Sequence, residues 1–255
     1  MLHLSERETM KTILSTANEE IKSVRTLHEN KGRQEQKKFI AEGLRTCSTL
    51  IKNQMKLVQL YITEEHQAEA QKLVNDAITI VSESVMQKIS TVKTPSGMLG
   101  VFEIPIQPPF SALTPGLVLA QISDPGNMGT LIRTAASLNV KSIVIIDSVD
   151  VWSPKVIQAT AGAIAFVKIF ITSWPSLITW KKELQLCALV VKGGKAPSEI
   201  DNKNLLLVVG NEAHGIQKEW LRDADSFMTI PMPGHTESLN AAVAGSIALY
   251  LAFAQ

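Results

Sequence analysis

Residues 205–215 read LLLVVGNEAHG, five consecutive apolar positions that stop at Gly210 and give way to a short polar loop. A half-exposed strand would alternate apolar and polar residues. A run that is apolar at every position has both faces covered, as in a parallel sheet between helices. SIVII at 142–146 repeats the pattern, and LVLAQI at 117–122 comes close to it. Working outward, strands at 117–122, 142–146, 166–171, 186–191, 205–209 and 227–230 alternate with helices at 129–138, 154–160, 175–183, 216–222 and 239–253. This alternation predicts an α/β domain with a parallel sheet over 117–255.

In front of it lies EIPIQPPFSALTPG, residues 103–116, with four of the chain's 11 prolines. Proline removes backbone donors and restricts its neighbour, so this stretch reads as a Pro-rich linker. Residues 1–102 read as a smaller α/β sandwich. A helical pattern carries Ile13, Ala17, Ile21 and Val24, and a polar basic loop, HENKGRQEQKK, follows at 28–38. Strands are expected at 39–43, 58–62, 79–81 and from Gly100, with helices at 44–52, 66–75 and 85–90.

The chain has 255 residues, 45% of them hydrophobic, and a formal net charge of +1. That excludes disordered and collagen-like classes, and it gives no global sign of a nucleic-acid partner. Cys47 and Cys187 are the two cysteines, too few for a disulfide framework or a zinc site. The first twenty residues hold four glutamates and no apolar signal core. The uncharged run 239–255 is short for a membrane span and reads as a buried helix. A cytoplasmic protein with no membrane association is expected.

Ligands of open α/β sheets bind at the C-terminal ends of the strands. The dinucleotide and phosphate-loop fingerprints fail there, because DPGNMG has the wrong glycine spacing and GNEAHGIQK carries Ile216 where a lysine is required. Three polar segments survive. D-P-x-N-x-G-x-x-x-R spans 124–133, G-N-E-x-x-G spans 210–215, and I-P-M-x-G-x-x-x-S-L-N spans 230–240. Singly, each could be a helix cap or a surface ion pair.

Together, in this order, they resemble the three motifs of the SpoU (TrmH-like) branch of the SPOUT RNA methyltransferases. Residues 15–43, with Asn18, Lys22, Leu27, Lys31, Arg33, Phe39 and Glu42-Gly43, resemble the small domain that precedes many SpoU catalytic domains. That domain is similar to ribosomal proteins that bind kinked RNA. The resemblance implies methylation of a ribose 2′-hydroxyl in RNA with S-adenosylmethionine as cofactor. It also implies a trefoil knot in the C-terminal sheet and a homodimer with the site at its interface. The N-terminal domain tilts the expected substrate toward large-subunit (23S) ribosomal RNA. A tRNA 2′-O-methyltransferase and a non-catalytic RNA-binding or ribosome-assembly factor are the alternatives.

By motif position, Gly210, Ile230 and Leu239 match cofactor-contacting residues, with Val209 and Met232 as neighbours. Asn127, Arg133, Glu212, Ser238 and Asn240 match the polar positions around methyl transfer. Arg133 matches the arginine proposed to deprotonate the 2′-hydroxyl, yet a guanidinium with a pKa above about 12 is a very poor base. A cation placed where alkoxide charge develops fits better. Asn127 and Glu212 would orient it, and Ser238 and Asn240 would hold the ribose or the cofactor carboxylate. The leaving group is already a sulfonium, so the chemistry needs no metal. RNA affinity is expected from residues 22–45, which hold seven basic and three acidic side chains. Lys22, Lys31, Arg33, Lys37 and Lys38 are the candidates.

Overall fold

A computed structural model describes residues 10–234 and 238–254. The chain divides into two compact units, 1–104 and 105–255. The elements of the first unit are β1 (Lys11–Ile13), α1 (Glu19–Thr26), α2 (Asn30–Gln36), β2 (Lys38–Glu42), α3 (Leu44–Lys52), β3 (Leu57–Ile62), α4 (Gln67–Leu73), β4 (Ile78–Val81), α5 (Glu83–Ile89) and β5 (Met98–Glu103). Its sheet runs β1-β4-β3-β5-β2. β4 is parallel to both β1 and β3, whereas β5 is antiparallel to β3 and β2. Ile21, Leu27, Val85 and Ile89 bury the helices against Ile40, Tyr61 and Leu99 of this sheet.

Two expectations for this unit are corrected. The helical pattern that was to include Ile13 and Ala17 begins only at Glu19, where Asn18 accepts a hydrogen bond from Glu20 N at 2.8 Å. Ile13 instead pairs in register with Val81. The polar loop at 28–38 is for the most part a helix, α2. Lys31, Arg33, Gln34, Glu35 and Gln36 suit a helix intrinsically, but the segment is almost wholly polar, so no apolar stripe marks it. A close approach anchors it: a Cβ on Gly32 would lie 2.1 Å from the Thr26 carbonyl oxygen.

The second unit comprises β6 (Gly116–Ala120), α6 (Pro125–Ser137), β7 (Ser142–Ile146), α7 (Pro154–Thr160), β8 (Lys168–Ile171), α8 (Trp174–Trp180), β9 (Gln185–Leu189), β10 (Leu205–Val209), α9 (Lys218–Arg222), β11 (Ser226–Met228) and α10 (Ala241–Phe253). The sheet order is β11-β9-β10-β6-β7-β8, with every pair parallel. All five residues of each of β6, β7 and β10 are buried, which is why these stretches carry no alternation. Fully burying one such Val or Leu stabilises the fold by about 1.5–3 kcal/mol.

The proline-rich stretch does more than connect. Gln107 Oε1 accepts a 2.8 Å bond from Ile171 N on the sheet-edge strand β8, and Phe110 packs on Phe170 with ring centroids 5.6 Å apart. Cys47 and Cys187 are both buried free thiols. Among the described residues no helix is long and apolar enough to cross a membrane.

The last helix, α10, packs on α6. A Cβ on Gly245 would lie 2.5 Å from Leu131 Cδ2, so a larger residue there would have to push the Leu131 side chain aside. Thr134 and Ser246 share a 3.0 Å hydroxyl hydrogen bond across the same contact. The opposite face of α10 is also apolar, and in the single chain it is open: Val243 is 48% exposed, Ile247 37% and Tyr250 62%.

Candidate active site

The polar segments meet beyond the C-terminal ends of β6, β9 and β10. A cavity of about 330 Å³ opens there. Its apolar walls include Leu189, Val209, Ile230, Met232 and Leu239, and residues 210–215 form its polar rim. Ser238 also lines it. All five residues expected to contact the cofactor therefore share one cleft.

The rim is held by its own side chains. Asn211 Oδ1 accepts from the backbone N–H of Ala213 and of His214 at 2.9 and 3.0 Å. Its Nδ2 donates to the Gln121 carbonyl at 2.9 Å, which ties the loop after β10 to the loop after β6. Gly215 turns the chain back at φ +68°, a conformation that favours glycine.

Glu212 makes the second tie. It accepts from Ser123 Oγ at 2.7 Å, Ser123 N and Asp124 N at 3.2 Å, and Asn127 Nδ2 at 3.0 Å. Partial burial alone would raise its pKa, but hydrogen bonds from Asn127, Ser123 and backbone N–H groups hold it down to about 2. Glu212 is therefore a fixed anion at neutral pH and too weak a base to take a proton from a hydroxyl.

Asp124 caps α6 by accepting from Asn127 N at 2.7 Å. The Asn240 amide does two local tasks. Its Oδ1 caps α10 at Ala242 N and Val243 N, and its Nδ2 donates to Asn127 Oδ1 at 3.2 Å. Ser123, Asp124 and Asn211 were not singled out as site residues. Asp124 and Asn211 stand inside the quoted motifs, and Ser123 stands one position before the first of them.

Arg133 lies elsewhere. It is six residues beyond Asn127 on α6, about 9 Å along the axis at 1.5 Å per residue. It lines a separate, shallow depression with Thr130, Thr134, Ser137 and Tyr250. Among the described residues its exposed guanidinium has no hydrogen-bond or ion-pair partner. The expected orientation of Arg133 by Asn127 and Glu212 is not present in the single chain. Within the third motif, residues 235–237 lie outside the described residues.

In the first unit the basic patch is partly neutralised. Lys22 pairs with Glu19 at 2.6 Å and Lys31 with Glu35 at 3.9 Å. Arg33 corrects an expectation: it is 3% exposed, and its Nη1 donates to the carbonyls of Leu27 and His28 at 2.8 Å each. It closes the turn between α1 and α2 and is not available to an RNA phosphate. Lys37 is exposed and Lys38 half-buried beside it.

An all-parallel sheet with a mixed apolar and polar cleft past its strand ends, framed by a fixed carboxylate, defines an α/β protein with a binding site for a small organic ligand. A model of the SpoU rRNA methylase family matches residues 115–250, and a model of the MRM3-like substrate binding domain matches residues 18–100. The chain belongs to the SpoU rRNA methylase family and is a methyltransferase that uses S-adenosylmethionine. An uncharacterized tRNA/rRNA methyltransferase of Synechocystis is 30% identical over 94% of this chain and 92% of its own length. The 23S rRNA (guanosine(2553)-2′-O)-methyltransferase RlmP of Bacillus subtilis is 25% identical over 94% of this chain and 98% of its own. The crystal structure of an rRNA methyltransferase from Sinorhizobium meliloti superposes with a TM-score of 0.85 at 29% identity, covering 95% of this chain and 97% of that one. An AdoMet-bound rRNA methyltransferase from Sinorhizobium meliloti superposes with a TM-score of 0.84, also at 29% identity.

The cleft fits that cofactor. Its volume suits an adenosine-sized ligand. Its apolar walls suit a purine, and the Glu212 anion on the rim complements a sulfonium.

Proposed function

We propose that this protein transfers a methyl group from S-adenosylmethionine to a ribose 2′-hydroxyl of 23S ribosomal RNA, acting as a homodimer in the cytoplasm. The observation that carries this reading is that the second and third motif segments line one cleft, while the first is tied to them by hydrogen bonds from Asn127 to Glu212 and from Asn240 to Asn127. The relatives' names support the substrate, since RlmP acts on a guanosine 2′-oxygen of 23S rRNA. Residues 1–102 dock the RNA, 103–116 connect the two parts, and 117–255 carry the transfer. A trefoil knot in the C-terminal part of the sheet belongs to the same reading.

When bound, S-adenosylmethionine supplies an electrophilic methyl on a sulfonium that leaves as a neutral thioether. The chain's part is to position and to stabilise charge. Val209, Gly210, Ile230, Met232 and Leu239 hold the cofactor, and Ser238 meets the ribose or the cofactor's polar tail. Glu212, Asn127 and Asn240 fix the frame. Arg133 places a permanent positive charge where the ribose oxygen loses its proton. The open apolar face of α10 and Arg133, which has no partner among the described residues, both favour a second copy, whose docking would complete the site.

Mapping 2′-O-methylation in total RNA from cells with and without the protein tests the function. One nucleotide of 23S RNA should lose its methyl group in the deletion strain. A site lost from tRNA would move the substrate to that class, and no lost site in any RNA would favour a non-catalytic factor.

For RNA docking, Lys37→Gln with Lys38→Gln should weaken binding and flatten its salt dependence by about 0.7 log units per log salt for each lysine in contact with phosphate. Filter binding across a salt series reads this. An unchanged slope would move the docking surface elsewhere in the first unit.

A further inference from the structure

Ser123 stands one position before the first motif, on the loop between β6 and α6. It does not line the cleft, yet its hydroxyl makes the shortest contact to Glu212, 2.7 Å. We propose that Ser123 is a positioning residue for methyl transfer: its hydroxyl sets the Glu212 carboxylate so that Asn127, and through it Asn240, stand in register at the cleft.

The carboxylate is fully divided between donors. Oε2 takes Ser123 Oγ and Ser123 N, and Oε1 takes Asp124 N and Asn127 Nδ2. A carboxylate accepts and cannot donate, so the Asn127 NH₂ must face it. That turns Asn127 Oδ1 toward Asn240 Nδ2, and Asn240 Oδ1 in turn holds the first N–H groups of α10. One hydrogen-bonded line thus runs from the β6–α6 loop through the β10 loop to the start of α10. Without the hydroxyl, Oε2 keeps a single backbone donor at 3.2 Å and the carboxylate can rotate. Asn127 then loses the partner that decides which way its amide points.

The proposal rests on the methyl-transfer reading, and its test separates the two. Ser123→Ala and Ser123→Thr are made in the full chain. In the alanine variant, turnover at saturating cofactor and RNA should fall about tenfold, the scale of a hydrogen bond to a charged group. Cofactor affinity, measured by calorimetry, should stay within about twofold because Ser123 is not a wall of the cleft. The threonine variant keeps the hydroxyl and should recover turnover. A ¹³C titration of the Glu212 carboxyl should move upward from near 2 in the alanine variant only. Wild-type turnover in Ser123→Ala overturns the proposal. So does an equal loss of cofactor affinity, or a threonine variant no better than alanine. If the wild type methylates no RNA, the functional reading fails on its own. The carboxyl titration then decides the clamp, with an unmoved Glu212 in Ser123→Ala counting against it.

Discussion

Arg133→Ala should lower methyl transfer to RNA by about 100- to 1,000-fold, the usual cost of removing a group that stabilises transition-state charge. Cofactor affinity should change little, because Arg133 lies outside the cleft lining. The fold should survive, since the side chain is exposed and without a partner among the described residues. A guanidinium cannot serve as the base. It can lower the cost of ribose alkoxide formation as the proton leaves to solvent. Arg133→Lys should keep part of the activity, as charge remains but the planar donor fork is lost. Transfer of labelled methyl groups to RNA, with calorimetry of cofactor binding beside it, measures both quantities. Near-normal turnover in the alanine variant would remove Arg133 from the mechanism.

The second large effect is expected at α10. Val243→Glu combined with Ile247→Glu should give a monomer, and activity should fall with the dimer. In one chain these side chains are 48% and 37% exposed, on a helix whose inner face is already packed on α6. Covering what remains exposed of two such residues contributes on the order of 1 kcal/mol each to association. Two unpaired carboxylates in the same contact would cost several kcal/mol more. Because the substitutions face solvent in the monomer, thermal stability measured at high dilution should stay close to that of the wild-type monomer. Sedimentation at micromolar concentration reads the assembly state. A double variant that sediments as a dimer would place the contact on another face, and a fully active monomer would remove the need for a second copy.

Parts of the fold were legible because burial leaves a mark in one dimension. LLLVV and SIVII have no polar alternation, since helices cover both faces of the sheet. The site segments were legible as polar breaks at strand ends. The first unit was less so. α2 is polar almost all round and held by Gly32 and Arg33, so no periodicity betrays it. Its charges also misled. The count of seven basic and three acidic residues left out Glu19, which pairs with Lys22, and could not show that Arg33 turns inward.

The sequence by itself determined the parallel α/β class, the placing of three polar loops beyond strand ends, and an uncharged last helix. All follow from residue type and spacing along a short stretch. Only the tertiary structure decided which polar side chains hold one another. Ser123 and Glu212 are 89 positions apart, and Asn127 and Asn240 are 113 apart. A hydrogen bond depends on ångströms of separation in space, and the sheet order, with β10 beside β6, brings those loops together. The same folding left Arg133 outside the cleft beside an open apolar helix face, which no local pattern in the chain encodes.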